Sequence, residues 1–168
     1  GGGCATNDTV LVTAAVIEVR SMAELDQLGE KTLKGKIVFF NFPMNPNNIG
    51  TFQSYGQSGI SRVLGPTKAA KYGAVAAMVR SLASNLDDFP HTGVTVYNDS
   101  FPKIPAVAIS TNDAEWLSKQ LMRKMQLKAF IKTNCKMLGD VPSFNVVGEL
   151  KGREFPDEYI TVGGHLDS

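Results

Sequence analysis

The sequence is short of the residue types that mark several specialised classes. In 168 residues there are two cysteines, two histidines and one tryptophan. Two cysteines, Cys4 and Cys135, are too few for a disulfide scaffold and lack the paired spacing of a structural zinc site. They stand at opposite ends of the main domain. A disulfide would require the terminal segments to pair, and two thiols are the preferred reading. Charge of one sign is also missing: the net charge is +1. A protein held by phosphate contacts needs a basic excess, so no nucleic-acid partner is expected. No apolar run approaches the ~20 residues that cross a bilayer, so no membrane span is expected. The opening Gly1-Gly2-Gly3-Cys4 has neither an initiator Met nor a basic segment. It reads as a start inside a longer chain, and no location follows from it. Nucleophile and phosphate motifs fail as well. Ser54, Ser58 and Ser61 do not sit in a Gly-x-Ser-x-Gly pattern, and Gly35-Lys36 precedes a strand rather than a helix.

What is present is a core. Hydrophobic residues make up 43% of the chain, enough for one good domain and part of another. Residues 9–19, rich in Val, Ile, Thr and Ala, read as a long strand. Ser21 and Glu24 form a capping box that opens a short helix ending at Gly29. Ile37 to Phe40 is a continuous apolar strand of the kind covered on both faces. Residues 43–59 read as a polar loop. Pro66 suits a helix start and Gly73 its end. Ala74 to Val79 is another buried strand, and residues 81–102 form a second long loop. Ile104 to Ile109 is a strand. Asn112 with Glu115 caps a helix whose apolar face includes Leu117, Leu121 and Met125, with Trp116 packed. Leu127 to Ile131 closes the domain as a strand. Strands and helices alternate, so the class is α/β.

Most polar candidates have ordinary explanations. His91 reads as an exposed loop histidine, and Asp87-Asp88 as a solvated loop edge. Asp140 and Glu149 read as exposed. Asn7-Asp8-Thr9 and Asn98-Asp99-Ser100 are glycosylation sequons, with meaning only in a eukaryotic secretory pathway. The exception is the final stretch. Tyr159-Ile-Thr-Val162 reads as a strand leading into Gly163-Gly164-His165-Leu166-Asp167-Ser168. Neutral imidazole is a good zinc ligand, and a nearby carboxylate can fix its tautomer. The glycines leave room for close approach. By spacing alone, His165 and Asp167 supply one ligand and its support, where a zinc site needs three or four protein ligands.

Residues 159–168 resemble the first metal-binding motif of the M28 family of zinc peptidases. Residues 143–152 resemble the first strand of that family's catalytic sheet. The segments Leu33 to Phe39, Ala69 to Val75 and Ile104 to Ile109 resemble the core of a protease-associated domain, a swivelling β/β/α module. His91-Thr-Gly-Val94 and Val107 to Ala114 are similar to M28 members that carry this module as an early insert. The resemblance implies residues 1–134 as the protease-associated domain, 135–142 as a linker and 143–168 as the first hairpin of a truncated catalytic domain. It further implies a cofactor of two zinc ions, with His165 as ligand and Asp167 orienting it. The implied activity is exopeptidase hydrolysis of dipeptides or short peptides, in a secreted or periplasmic protein. The remaining ligands and the general base would lie beyond Ser168, so residues 1–168 alone would be inactive. Implied partners are a peptide substrate and the rest of the catalytic domain, with a homodimer as a further expectation. The alternative expectation is a non-catalytic interaction or substrate-access module.

Overall fold

Ile37-Val38-Phe39-Phe40 is one of the two shortest strands and the most deeply placed, with every side chain fully buried. It sits at the centre of the sheet because both of its faces are apolar. The structure, a computed structural model, describes residues 9–136 and 138–165. They fall into two units, Gly1–Leu138 and Gly139–Ser168. In the first, the element order is β1 (Thr9–Val19), α1 (Met22–Leu33), β2 (Ile37–Phe40), α2 (Thr51–Val63), α3 (Gly65–Lys71), β3 (Ala76–Arg80), β4 (Ala106–Ile109), α4 (Thr111–Met122) and β5 (Lys128–Asn134).

The five strands form one sheet in the order β4-β3-β2-β1-β5. Strands β1 to β4 are mutually parallel, and β5 runs antiparallel to β1 from Thr9↔Asn134 to Ala15↔Lys128. The parallel strands step across the sheet in one direction, so their crossover helices share one face. Val38 and Phe40 pack there with Leu25 and Leu33 of α1 and Ala69 and Ala70 of α3. Because successive strand side chains alternate, Ile37 and Phe39 point the other way. They meet Ala114 and Leu117 of α4, which carries the chain back from β4 to β5. The α/β class is as expected. The first half of β1, Thr9 to Ala15, pairs with β5 and the second half, Val16 to Val19, with β2, and helices pack on both faces.

Several boundaries differ from the sequence reading, each for a physical reason. The expected helix end at Gly29 is present as a break inside α1: φ 57° and ψ −171° there are non-helical, and a second short helical stretch runs on to Leu33. Glycine tolerates that left-handed angle. Residues 51–59 are helical rather than loop. Ser54, Ser58 and Ser61 are buried along one side of α2. Their hydroxyls donate to Asn45 O at 2.8 Å, Pro43 O at 3.1 Å and Ser58 O at 2.7 Å. Helix α4 is capped by Ser110, whose Oγ accepts from Asp113 N, and not by Asn112. Met125 lies beyond that helix, 49% exposed, and Trp116 is 59% exposed rather than packed. Val75, Val107 and Ile109 are only partly buried.

Helix α3 begins with Pro66 in its first turn, and Gly73 follows it at φ 74°. Among the described residues of the second unit, no strand is assigned over 143–150 or 158–162. The expected hairpin is reduced to a turn in which Glu158 N donates to Phe155 O at 3.1 Å. Two strands alone are marginal in water, and Phe144, Leu150 and Ile160 are 84%, 98% and 96% exposed.

Candidate functional site

Open α/β sheets build their sites at the carboxyl ends of parallel strands. Here those ends carry a polar cluster that sequence reading did not find. Glu18 Oε1 accepts from Asn41 Nδ2 at 2.7 Å, Ser118 Oγ at 2.8 Å and Arg20 Nε at 3.0 Å. Arg20 Nη2 also donates to Ser118 Oγ at 3.0 Å. Arg80 Nη1 donates to Glu115 Oε1 at 2.7 Å and Asn41 Oδ1 at 3.2 Å. The cluster therefore ties β1, β2 and β3 to α4. Burial pushes the Glu18 carboxyl up, but hydrogen bonds from Asn41, Arg20 and Ser118, with the Arg20 charge, hold it below the usual glutamate range. The Arg80 side chain is 6% exposed, and its Nε is buried with no partner among the described residues. The available signal was Arg80 itself, a cation closing an apolar strand on the same face as Ala76 and Met78.

The long connection from β3 to β4 crosses the same end of the sheet. It carries no helix or strand, as expected, yet it is pinned along its length. Ser81 Oγ donates to Ile109 O and accepts from His91 N, both at 2.7 Å. Asp87 N donates to Thr111 Oγ1 at 2.8 Å, and Asp87 O accepts from Asn112 N at 3.1 Å. These contacts dock the loop on the first turn of α4. On the other side, Arg62 Nη2 donates to the Tyr55 hydroxyl at 2.5 Å and Nη1 to Thr92 O at 3.4 Å. His91 Nε2 is 3.8 Å from Asp87 Oδ2, too far for a hydrogen bond, and its side chain is 44% exposed. His91 is thus the ordinary loop histidine the sequence suggested. Asp87 differs from the expected solvated edge: its side chain is 18% exposed and it organises the loop. Asp140 and Glu149 are exposed, as expected.

In the second unit, His165 is exposed and lines a hollow with Ser143, Phe144, Asn145 and Val162 to Gly164. The segment leading to His165 thus lies beside the start of the 143–150 stretch. Asp167 lies outside the described residues. Among the described residues, no three His, Cys, Asp or Glu side chains come together to hold a metal. His165 fits zinc as a single donor, and the described residues do not complete a centre around it.

Against known proteins, 157 residues are 36% identical to carboxypeptidase Q of Pongo abelii, covering 94% of this chain and 31% of that protein. The Mus musculus enzyme of the same name is 37% identical over the same length, at 94% and 32% coverage. The Rattus norvegicus protein is 39% identical, at 94% and 31%. A match of 157 residues extends into the second unit, because the first ends at Leu138. The chain is a homologue of carboxypeptidase Q. It spans under a third of the length of these carboxypeptidase Q relatives. Among solved structures, the peptidase M28 precursor of Shewanella amazonensis SB2B superposes with TM-score 0.66 at 28% identity, covering 72% of this chain and 27% of that one. No protein-family profile matches. The two histidines fall in different units, His91 in the first and His165 in the second. Cys135 is half-buried against the α1/α3 side of the core, and Cys4 lies outside the described residues. No described helix is long and apolar enough to cross a membrane.

Proposed function

We propose that this chain is part of a zinc-dependent exopeptidase, with the first unit as an inserted protease-associated domain and His165 as a zinc ligand. The observation that carries the reading is 36% identity to carboxypeptidase Q sustained across 94% of the chain. Zinc, when bound, polarises a scissile carbonyl and acidifies water. The chain's own contribution is narrower. The imidazole of His165 would offer a lone pair, and Asp167 would accept the other ring N–H and fix the tautomer. Gly163 and Gly164 carry no side chains beside it, which leaves the approach to the imidazole open. The substrate class is a dipeptide or short peptide, acted on outside the cytoplasm. His165 is one ligand where a zinc site needs three or four, so the 168 residues alone are expected to hydrolyse nothing. The exposed apolar residues of 144–162 are to be covered by the rest of a catalytic domain, or by a second copy when that domain is missing.

The test is zinc content and dipeptide turnover in the complete gene product. His165→Ala is expected to abolish turnover and lower bound zinc, and Asp167→Asn to weaken affinity or rate by about 10–100-fold. Full zinc stoichiometry and normal turnover in His165→Ala would remove the reading. One observation favours a non-catalytic interaction module as the second reading. Ile49, Phe52 and Phe89 are 104%, 90% and 72% exposed on the first unit. Under that reading, replacing them with serine changes binding to other proteins and leaves turnover intact.

A further inference from the structure

The face of the sheet that carries α4 is only partly covered. Five strands at ~4.8 Å spacing make a surface far wider than one helix of ~10 Å diameter. Between α4 and the sheet lies a groove of about 280 Å³. Its floor and walls include Val16, Met78, Ile109, Leu117 and Leu127, and Trp116 stands at its side. Two charged residues border it, Asp113 on α4 and Lys128 on β5. Their signs are opposite. Neither side chain has a hydrogen-bond or ion-pair partner among the described residues, and they do not pair with each other.

We propose that this groove binds a free α-amino acid with a bulky apolar side chain. Three features select that class. The volume lies at the low end of small-molecule pockets, which suits one residue and excludes a nucleotide or long peptide. The lining is apolar, with an exposed aromatic ring that can cover an aliphatic or aromatic body. The rim offers one carboxylate for an ammonium and one ammonium for a carboxylate, the charge pair of a zwitterion. A neutral apolar molecule would leave both charges unused. The inference does not rest on the peptidase reading, because it concerns binding in the first unit and its test reads no hydrolysis.

Trp116 is the only tryptophan of the chain, so intrinsic fluorescence reports on the groove directly. The 168-residue chain is titrated with L-leucine, with calorimetry as a second readout. Saturable binding is expected, with a change in Trp116 emission. N-acetyl-L-leucine and L-leucinamide each lack one charge and are expected to bind at least about tenfold more weakly, a loss of about 1.4 kcal/mol. Asp113→Asn and Lys128→Met are expected to weaken L-leucine to a similar degree, with the ligand-free melting temperature unchanged. Absence of saturable binding by both readouts overturns the proposal. So does equal binding of all three compounds, which would mean apolar filling alone, or unaltered binding in both variants. A ligand-free Trp116 emission that shifts to the red on dilution would show the groove covered by a second copy, and would equally overturn it.

Discussion

Gly93→Ala is a small change with a specific expected cost. Gly93 does not take a positive φ, so alanine is permitted by the backbone. A Cβ there would stand 2.4 Å from Arg62 Cζ and 2.6 Å from Nε, well inside contact distance. Backbone and loop are fixed by other bonds, so the guanidinium must move. It would give up its bonds to the Tyr55 hydroxyl and Thr92 O and its position 5.4 Å from the centre of the Tyr55 ring. Hydrogen bonds to a charged group contribute about 1.5–3 kcal/mol when buried. A cation–π contact at an exposed site adds about 0.5–1 kcal/mol. Tyr55 is 41% exposed and the Thr92 bond is long at 3.4 Å, so the low end applies. The expected loss is about 1–2 kcal/mol, or a drop in Tm of about 3–10 °C for a domain of this size. The assay is urea unfolding of four proteins: wild type, Gly93→Ala, Arg62→Ala and the double variant. The double variant should be no less stable than Arg62→Ala, giving a coupling energy of about 1–2 kcal/mol. Additive costs, or a Gly93→Ala protein as stable as wild type, would refute the steric argument.

Other expectations follow from the same contacts. The folded pKa of Glu18 is held below its ordinary value, so its contribution is present above about pH 4.3 and lost as pH falls through the folded pKa. Acid titration of stability should therefore show a smaller difference between wild type and Glu18→Gln at pH 3 than at pH 7; a constant difference would contradict it. Ser58→Val removes the bond to Pro43 O and adds volume at a site 4% exposed, with an expected loss of about 1–3 kcal/mol in denaturant midpoint analysis. Gly65→Ala would bring a Cβ to 3.1 Å from the buried Phe40 ring, and should lower stability by about 1–2 kcal/mol. A more stable Gly65→Ala protein would mean that the ring has room to move.

The strands were readable because each is a local statement. Ile37 to Phe40 is apolar at every position, and only a strand buried on both faces uses such a run. Pro66 and Gly73 bracket α3 through properties of single residues. Helix α2 was not readable, since Gly56, Gly59 and three serines argue against a helix by propensity. What decides it is tertiary: Ser54 and Ser58 donate to the carbonyls of Asn45 and Pro43, which sequence spacing does not reveal. The polar cluster at the strand ends was hidden for the same reason. Glu18, Asn41, Arg80 and Ser118 come together only through strand register and the return of α4. His165 was visible because a histidine, two glycines and an aspartate fall within five positions. Its companions are not local, and a metal centre is assembled from distant segments.

The antiparallel pairing of β1 with β5 sets Thr9 directly opposite Asn134. Paired residues in such a ladder lie about 5 Å apart. Entry to and exit from the sheet domain therefore occur at one spot. For a host chain, accommodating these strands and helices demands no more separation of its own broken ends than a tight turn does. The entropy of closing that gap is set by the ~5 Å span and not by the number of residues enclosed. Excising residues 9–134 and joining the flanks through two or three glycines should thus leave a host backbone undisturbed, whereas a domain whose termini lay on opposite poles would pull its host apart.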